Sequence, residues 1–157
     1  MNMLINRCFD GKELFEFLKN VDQLFIPTLT QSVENTGLTL EQYADKLSQK
    51  ATIAYERTPG DEISGMVIGY TSEMPDNWSY ITQVAVKKEY QQTGIFRRLF
   101  AEYEDYIRRS KIDGIWLTTT SLNFAALKAY ERVGFKRMSE EIKPDGFTVV
   151  RFEKKIS

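Results

Sequence analysis

Residues 80–98 read Tyr-Ile-Thr-Gln-Val-Ala-Val-Lys-Lys-Glu-Tyr-Gln-Gln-Thr-Gly-Ile-Phe-Arg-Arg, and the pattern changes character twice along them. Trp78 to Val86 alternates as a strand does: Trp78, Tyr80, Thr82, Val84 and Val86 share one parity, with Ile81 and Ala85 on the other. Lys87 to Gly94 is a polar bend. From Ile95 the period lengthens, because Ile95, Leu99, Tyr103, Tyr106 and Ile107 recur at helical spacing. A strand that passes through a compact loop into a long helix gathers unpaired backbone N–H groups at the helix start, where a diphosphate can be received. Gly94 is the position where a side chain would stand between phosphate oxygens and amides, and Thr93 can add a hydroxyl contact. Arg97 and Arg98 sit in the first helical turn, against the helix dipole unless an anion is nearby, although exposed Arg at a helix start is equally ordinary. The segment is not a nucleotide P-loop, since no Gly-Lys-Ser or Gly-Lys-Thr ending occurs, and the three-glycine dinucleotide pattern is missing.

Working outward toward the N-terminus, Ala51–Tyr55 and Ile63–Thr71 read as strands joined by the turn Thr58-Pro59-Gly60-Asp61. Gly65 and Gly69 mark a bulge or a close backbone approach. Thr39 and Gln42 form a capping-box pattern ahead of a helix carrying Leu40, Tyr43, Ala44 and Leu47. Thr28 to Leu38 has no clean period and reads as a loop. Lys12 to about Ile26 reads as an amphipathic helix stopped by Pro27, and Met3 to Phe9 as a first strand. Toward the C-terminus, Ile112–Thr119 is a strand, Asn123–Val133 a helix ended by Gly134, and Phe135–Met138 and Phe147–Phe152 closing strands.

The 157 residues fit one domain with a sizeable core, and 42% hydrophobic with 27% charged residues is ordinary for a globular chain. Lys and Arg number 21 against 22 Asp and Glu, so the net charge of -1 offers no field that would condense on nucleic acid. No apolar stretch approaches the length of a bilayer span, which points away from a membrane. The single Cys8, with an opening MNMLINRCFDG that has no basic leader, leads us to expect a reducing, cytoplasmic setting. Cys8 itself reads as a buried thiol of the first strand. Histidine is absent, which removes the commonest general base and metal ligand together, and no Cys, Asp and Glu cluster has metal-ligand spacing. Chemistry must therefore run on carboxylates, tyrosines, backbone groups, water or a cofactor.

Gln91-Gln92-Thr93-Gly94-Ile95-Phe96 resembles the acetyl-coenzyme A signature of the GNAT N-acetyltransferases, in which Arg or Gln, two variable residues, Gly, one variable residue and Gly or Ala follow the central strand. Phe96 departs from it, standing where the family has a small residue; as helix packing it can be tolerated. Ser121 to Phe135 is similar to a second family segment, with Asn123, Tyr130 and Gly134-Phe135 in matching places. The resemblance covers about Ile63 through Phe135. It implies a single-domain α/β fold over residues 1–157: a mixed, mostly antiparallel sheet flanked by helices, with a splayed central strand pair and a cofactor-binding core over about 78–135.

It further implies acetyl-CoA as cosubstrate, held by Val84, Ala85, Val86, Gln91, Gln92, Thr93, Gly94, Ile95, Phe96, Arg97, Arg98, Asn123 and Tyr130. Tyr130 matches the family tyrosine that protonates the leaving thiolate, whereas Asn123 read alone is a helix cap. The central-strand carboxylate of many members is not kept, since Thr82 and Gln83 are not bases. Glu73, Glu34 or a water chain are the candidates for that role. Phe25, Thr28, Glu34, Trp78 and Gln83 are expected at the acceptor, with the Glu140–Gly146 loop nearby. The reading is transfer to a small-molecule primary amine; a peptide or protein N-terminal acetyltransferase and a noncatalytic coenzyme A binding module are the alternatives. Similar proteins often complete the acceptor site by pairing the final hairpin across a homodimer.

Overall fold

A computed structural model describes residues 2–6, 8–72 and 74–157. Seven strands form one sheet: β1 (Asn2–Asn6), β2 (Thr52–Arg57), β3 (Ile63–Tyr70), β4 (Trp78–Val86), β5 (Gly114–Thr120), β6 (Lys136–Ile142) and β7 (Thr148–Lys155), in the order β1-β2-β3-β4-β5-β7-β6. Every neighbouring pair is antiparallel except β4 and β5. The helices are α1 (Gly11–Val21), α2 (Leu29–Glu34), α3 (Leu40–Lys50), α4 (Ile95–Arg109) and α5 (Phe124–Arg132). Among the described residues, no helix is long and apolar enough to cross a membrane.

The parallel pair is the seam of the sheet. Trp78, Ser79 and Tyr80 pair with Gly114, Ile115 and Trp116, and the pairing stops there although β4 runs on to Val86 and β5 to Thr120. The two strands therefore diverge toward their C-terminal ends, as expected of a splayed central pair.

β4 also breaks its own alternation. Ile68 lies across from Gln83 and Gly69 across from Ile81, so Thr82 is an extra, unpaired residue in a bulge. Beyond the bulge the faces exchange. Ile81, Val84 and Val86 pack toward α4, whereas Ala85 packs in the layer of α1 and α3. The single-parity reading of Trp78 through Val86 is corrected accordingly, since a period of two assumes an uninterrupted ladder.

The two faces of the sheet are closed by separate layers. On one, Leu14, Leu18 and Leu47 of α1 and α3 meet Ile53, Met66 and Ile68; on the other, Leu99, Tyr103 and Ile107 of α4 meet Val67, Ile81 and Ile115. Tyr103 is wholly buried, and its hydroxyl shares a 2.7 Å hydrogen bond with that of Ser79. That ring fits because β3 carries Gly69, where a Cβ would stand 2.2 Å from the Tyr103 Oη. The close approach marked in the sequence is real at this position.

Several expectations shift. Thr28–Leu38 is not a loop throughout, because α2 opens on a reciprocal capping box between Thr28 and Gln31. α1 ends at Val21 and is followed by a 3-10 turn over Asp22–Leu24. It starts at Asp10, whose side chain accepts from the amides of Lys12 and Glu13. β1 stops at Asn6, so Cys8 is not a buried strand residue: it is exposed, with φ of 60°. β6 extends to Ile142, taking up part of the expected Glu140–Gly146 loop.

Candidate active site

The loop between β4 and α4 is shaped by its own side chains. The Gln91 amide donates to the Val86 carbonyl at 3.2 Å, and the Thr93 hydroxyl to the Tyr90 carbonyl at 2.6 Å. Gln92 and Gly94 have φ of 63° and 83°, the left-handed turns that swing the chain into α4. Gly94 is the N-cap and no side chain caps the helix. The backbone N–H groups of Gln92 through Arg97 consequently have no acceptor among the described residues. Gln92, Thr93, Gly94 and Arg97 are exposed at this electropositive helix end, whereas Ile95 is buried and Phe96 half-buried.

The two arginines of the first turn have different partners. Arg98 is bidentate to Glu56, at 3.1 and 2.7 Å, and donates to the Thr93 carbonyl at 3.1 Å. This hydrogen-bonded pairing raises its pKa further and uses most of the guanidinium to brace the loop. Arg97 is exposed and makes no ion pair among the described residues, so its charge is uncommitted there. Phe96 turns inward: its ring centroid lies 4.9 Å from that of Phe100 and 5.7 Å from that of Tyr130. The bulky residue therefore packs beneath the loop.

Beside the loop, the divergence of β4 and β5 opens a cleft of about 320 Å³. Val84 lines it, while Ala85 and Val86 continue the strand that has no β5 partner. Tyr130 of α5 lines the cleft from the α4 side. Burial raises its pKa and keeps the phenol protonated. Its hydroxyl has no hydrogen-bond partner among the described residues, and none of their fully enclosed side-chain polar atoms is unsatisfied, so this hydroxyl opens to the cleft.

Asn123 does not cap α5 with its side chain. Instead its Oδ1 accepts from the Ile26 amide at 3.2 Å, and its Nδ2 donates to the hydroxyls of Thr119 and Thr120 at 3.1 and 3.0 Å. The Thr120 hydroxyl also bonds the Ile26 carbonyl. These bonds staple the segment between α1 and α2 to the end of β5. Asn123 is the N-cap residue of α5 by position, but its side chain is engaged by the loop from a distant part of the chain instead of by the helix amides.

The opposite wall comes from that stapled segment and from α3. Phe25, Ile26 and Val33 line the cleft with Tyr43, Thr82 and Gln83. The Tyr43 hydroxyl shares a 2.8 Å hydrogen bond with Thr82 and receives one from the Gln83 amide at 3.3 Å. Burial raises the Tyr43 pKa against the opposing effect of these two bonds. The bulge is what aims both Thr82 and Gln83 at α3.

Of the residues expected at the acceptor, Phe25 and Gln83 line the cleft. Thr28 is occupied in capping α2, and Glu34 is exposed at the far end of that helix. Trp78 lies at the closed end of the seam, where a Cβ on Gly114 would stand 2.6 Å from its ring. Glu73 falls outside the described residues. In the sequence Tyr43 belongs to the apolar stripe of α3, and its polar end is the feature that periodicity does not reveal. Among the described residues, no group of three or more His, Cys, Asp or Glu side chains is arranged to hold a metal ion.

Residues 28–156 match the family described as "Acetyltransferase (GNAT) domain". The Xenopus tropicalis protein named "Probable N-acetyltransferase camello" is 32% identical over 87 residues, 53% of this chain and 40% of that relative. The match thus covers less than half of that protein's length. A GNAT-family acetyltransferase from Streptococcus pneumoniae superimposes over 100% of both chains with a TM-score of 0.74 at 20% identity. A streptothricin acetyltransferase candidate from Bacillus anthracis, solved with acetyl coenzyme A, matches 69% of this chain and 64% of its own with a TM-score of 0.63 at 22% identity.

Proposed function

Because the chain belongs to the GNAT acetyltransferase family, we propose that it transfers the acetyl group of acetyl-CoA to a primary amine of a small molecule. The observation that carries this reading is the adjacency of two features: the open amides from Gln92 to Arg97 and the wedge left where β4 and β5 part. Their chemistry fits a diphosphate joined to an extended arm that ends in a thioester, as in the complex of the Bacillus anthracis neighbour. Acetyl-CoA supplies the activated acyl group.

In this reading Gly94 keeps the amides approachable and Gln91, Thr93 and Arg98 hold the loop in shape, while Arg97 adds the free positive charge. The unpaired edge of β4 at Val84, Ala85 and Val86 pairs with the arm and offers an amide to the carbonyl oxygen as charge develops there. The amine lone pair forms the C–N bond, the C–S bond breaks, and the net transfer of one proton from nitrogen to sulfur completes amide and free thiol. In this reading Tyr130 supplies the hydrogen at sulfur, supported by the burial that keeps its phenol protonated and that raises the proton affinity of a thiolate formed beside it.

The test is release of free coenzyme A from acetyl-CoA by the purified chain, followed with a thiol reagent across a panel of amines. Amine-dependent release, with an acetylated product identified by mass, is expected. Saturable acetyl-CoA binding without transfer to any amine would instead make the chain a binding module.

A further inference from the structure

The acceptor wall of the cleft has a consistent chemistry. Phe25, Ile26, Val33 and Tyr80 supply apolar surface, and Tyr43, Thr82 and Gln83 supply hydroxyl and amide groups. Every described side chain that lines the cleft, on either wall, is uncharged. A protonated amine entering it gives up its hydration against hydroxyl, amide and aliphatic groups, which stabilise an ammonium poorly. A neutral amine on an apolar body meets no such cost. Leu24, Ile26, Leu122 and Phe124 continue the apolar character outward on the two segments that the Ile26–Asn123 bonds hold together, each of these four side chains being exposed.

We infer that the acceptor is a small amine on an uncharged apolar body, bound as the free base and oriented by the Thr82 hydroxyl. This rests on the acetyltransferase reading and narrows it. The orientation follows from the order of the hydrogen bonds. Gln83 Nε2 donates to the Tyr43 oxygen at 3.3 Å, and that oxygen can also accept the single Thr82 hydrogen at 2.8 Å, which keeps the Thr82 hydrogen off the amine nitrogen. Thr82 is left with an unused lone pair in the cleft, at the bulge where β4 begins to part from β5. An amine N–H donated to that lone pair turns the nitrogen lone pair away from Thr82 and toward the wedge. Thr82 is therefore a positioning residue, acting on the acceptor rather than on the acyl carbon.

The test compares the full chain's kcat/KM for 2-phenylethylamine and a ring-sized analogue fluorinated beside the amine, which lowers amine basicity at nearly constant shape. Spermidine, lysine and a tripeptide with a free N-terminus are the charged and peptide comparators, and acetyl-CoA binding is measured by calorimetry on the same preparation. The expected result is at least 10-fold higher kcat/KM for the phenylethylamines than for the comparators. At neutral pH the less basic amine should be the better of the two, and each pH profile should climb to a plateau at that amine's own pKa. Thr82→Val should lower kcat/KM for these amines at least 10-fold with acetyl-CoA affinity unchanged, and Thr82→Ser should restore most of it.

Preference for spermidine, lysine or the peptide overturns the inference, as does a pH profile that ignores the amine's basicity or bound acetyl-CoA with no transfer to either phenylethylamine. Failure of the Thr82→Ser rescue removes Thr82 from the positioning role. Absence of acetyl-CoA binding is a different failure, since it removes the acetyltransferase reading on which the inference rests.

Discussion

The ring of Phe96 stands 5.7 Å, centroid to centroid, from that of Tyr130, so the first turn of α4 and the proposed hydrogen donor of α5 share one aromatic contact. Phe100 completes the cluster, at 4.9 Å from Phe96 and 6.0 Å from Tyr130. The loop that presents amides and the phenol that faces the cleft are thereby packed against each other. Replacing Phe96 by Ala should cost about 2 kcal/mol of stability, less than a fully buried Phe because the side chain is only partly buried. Chemical denaturation measures the loss. The acetyl-CoA Km of this variant should rise as well.

Tyr130→Phe removes one hydroxyl that has no partner among the described residues, so stability should be nearly unchanged. Turnover should fall about 100-fold through loss of the hydrogen donated to sulfur. Acetyl-CoA affinity, measured by calorimetry, should change little. Unchanged turnover would remove Tyr130 from the chemistry.

Gly94→Ala tests the anion site. At φ of 83° an alanine is strained by about 1 kcal/mol, and its Cβ would lie 3.1 Å from the Arg98 guanidinium that braces the loop. Weaker acetyl-CoA binding is expected with only a small drop in melting temperature. A variant that binds acetyl-CoA as tightly as the parent would show that the amides are not the anion site.

Gly69→Ala should be far more disruptive, although the side chain added is the same. Its Cβ would meet the Tyr103 hydroxyl at 2.2 Å and the Tyr80 carbonyl oxygen at 2.8 Å. A loss of about 3 kcal/mol is expected. Adding Tyr103→Phe should recover only part of it, because the backbone clash remains. Full recovery in the double variant would place the whole conflict at the phenol.

Alkaline titration should expose the buried phenols. Burial pushes Tyr70 up to about 12 and raises Tyr103 and Tyr130 as well, from an ordinary value near 10. Between those values the unfolded chain has released phenolic protons that the folded chain retains. Stability is therefore fully present below pH of about 10 and declines above it. Denaturant midpoints measured from about pH 9 to 11.5 should fall, and Tyr70→Phe should make the fall shallower.

The strand–loop–helix run around Gly94 was legible because each part obeys a local rule: alternation, polar bend, then helical spacing. The splayed pair followed from family resemblance, since no local rule says where two strands stop pairing. The bulge at Thr82 was hidden because an extra residue preserves the composition of β4 while exchanging its faces. α2 was missed although Thr28 and Gln31 carry the same capping pattern that revealed α3; six residues are too few for a period to emerge. Asn123 holds the N-cap position that the sequence suggested, but the partner that draws its side chain away, Ile26, lies 97 positions away in sequence. The cleft's uncharged wall is assembled from segments that no single window contains.

The three rungs joining β4 to β5 have a mechanical consequence. They leave the sheet as two blades riveted at one end, with the hydrogen-bond ladder lapsing over the other. A linear molecule lodged there braces the blades along their free length, so its arrival should stiffen the protein well beyond the atoms it touches. Slower amide exchange along β7, on the far blade, would be the signature of that bracing.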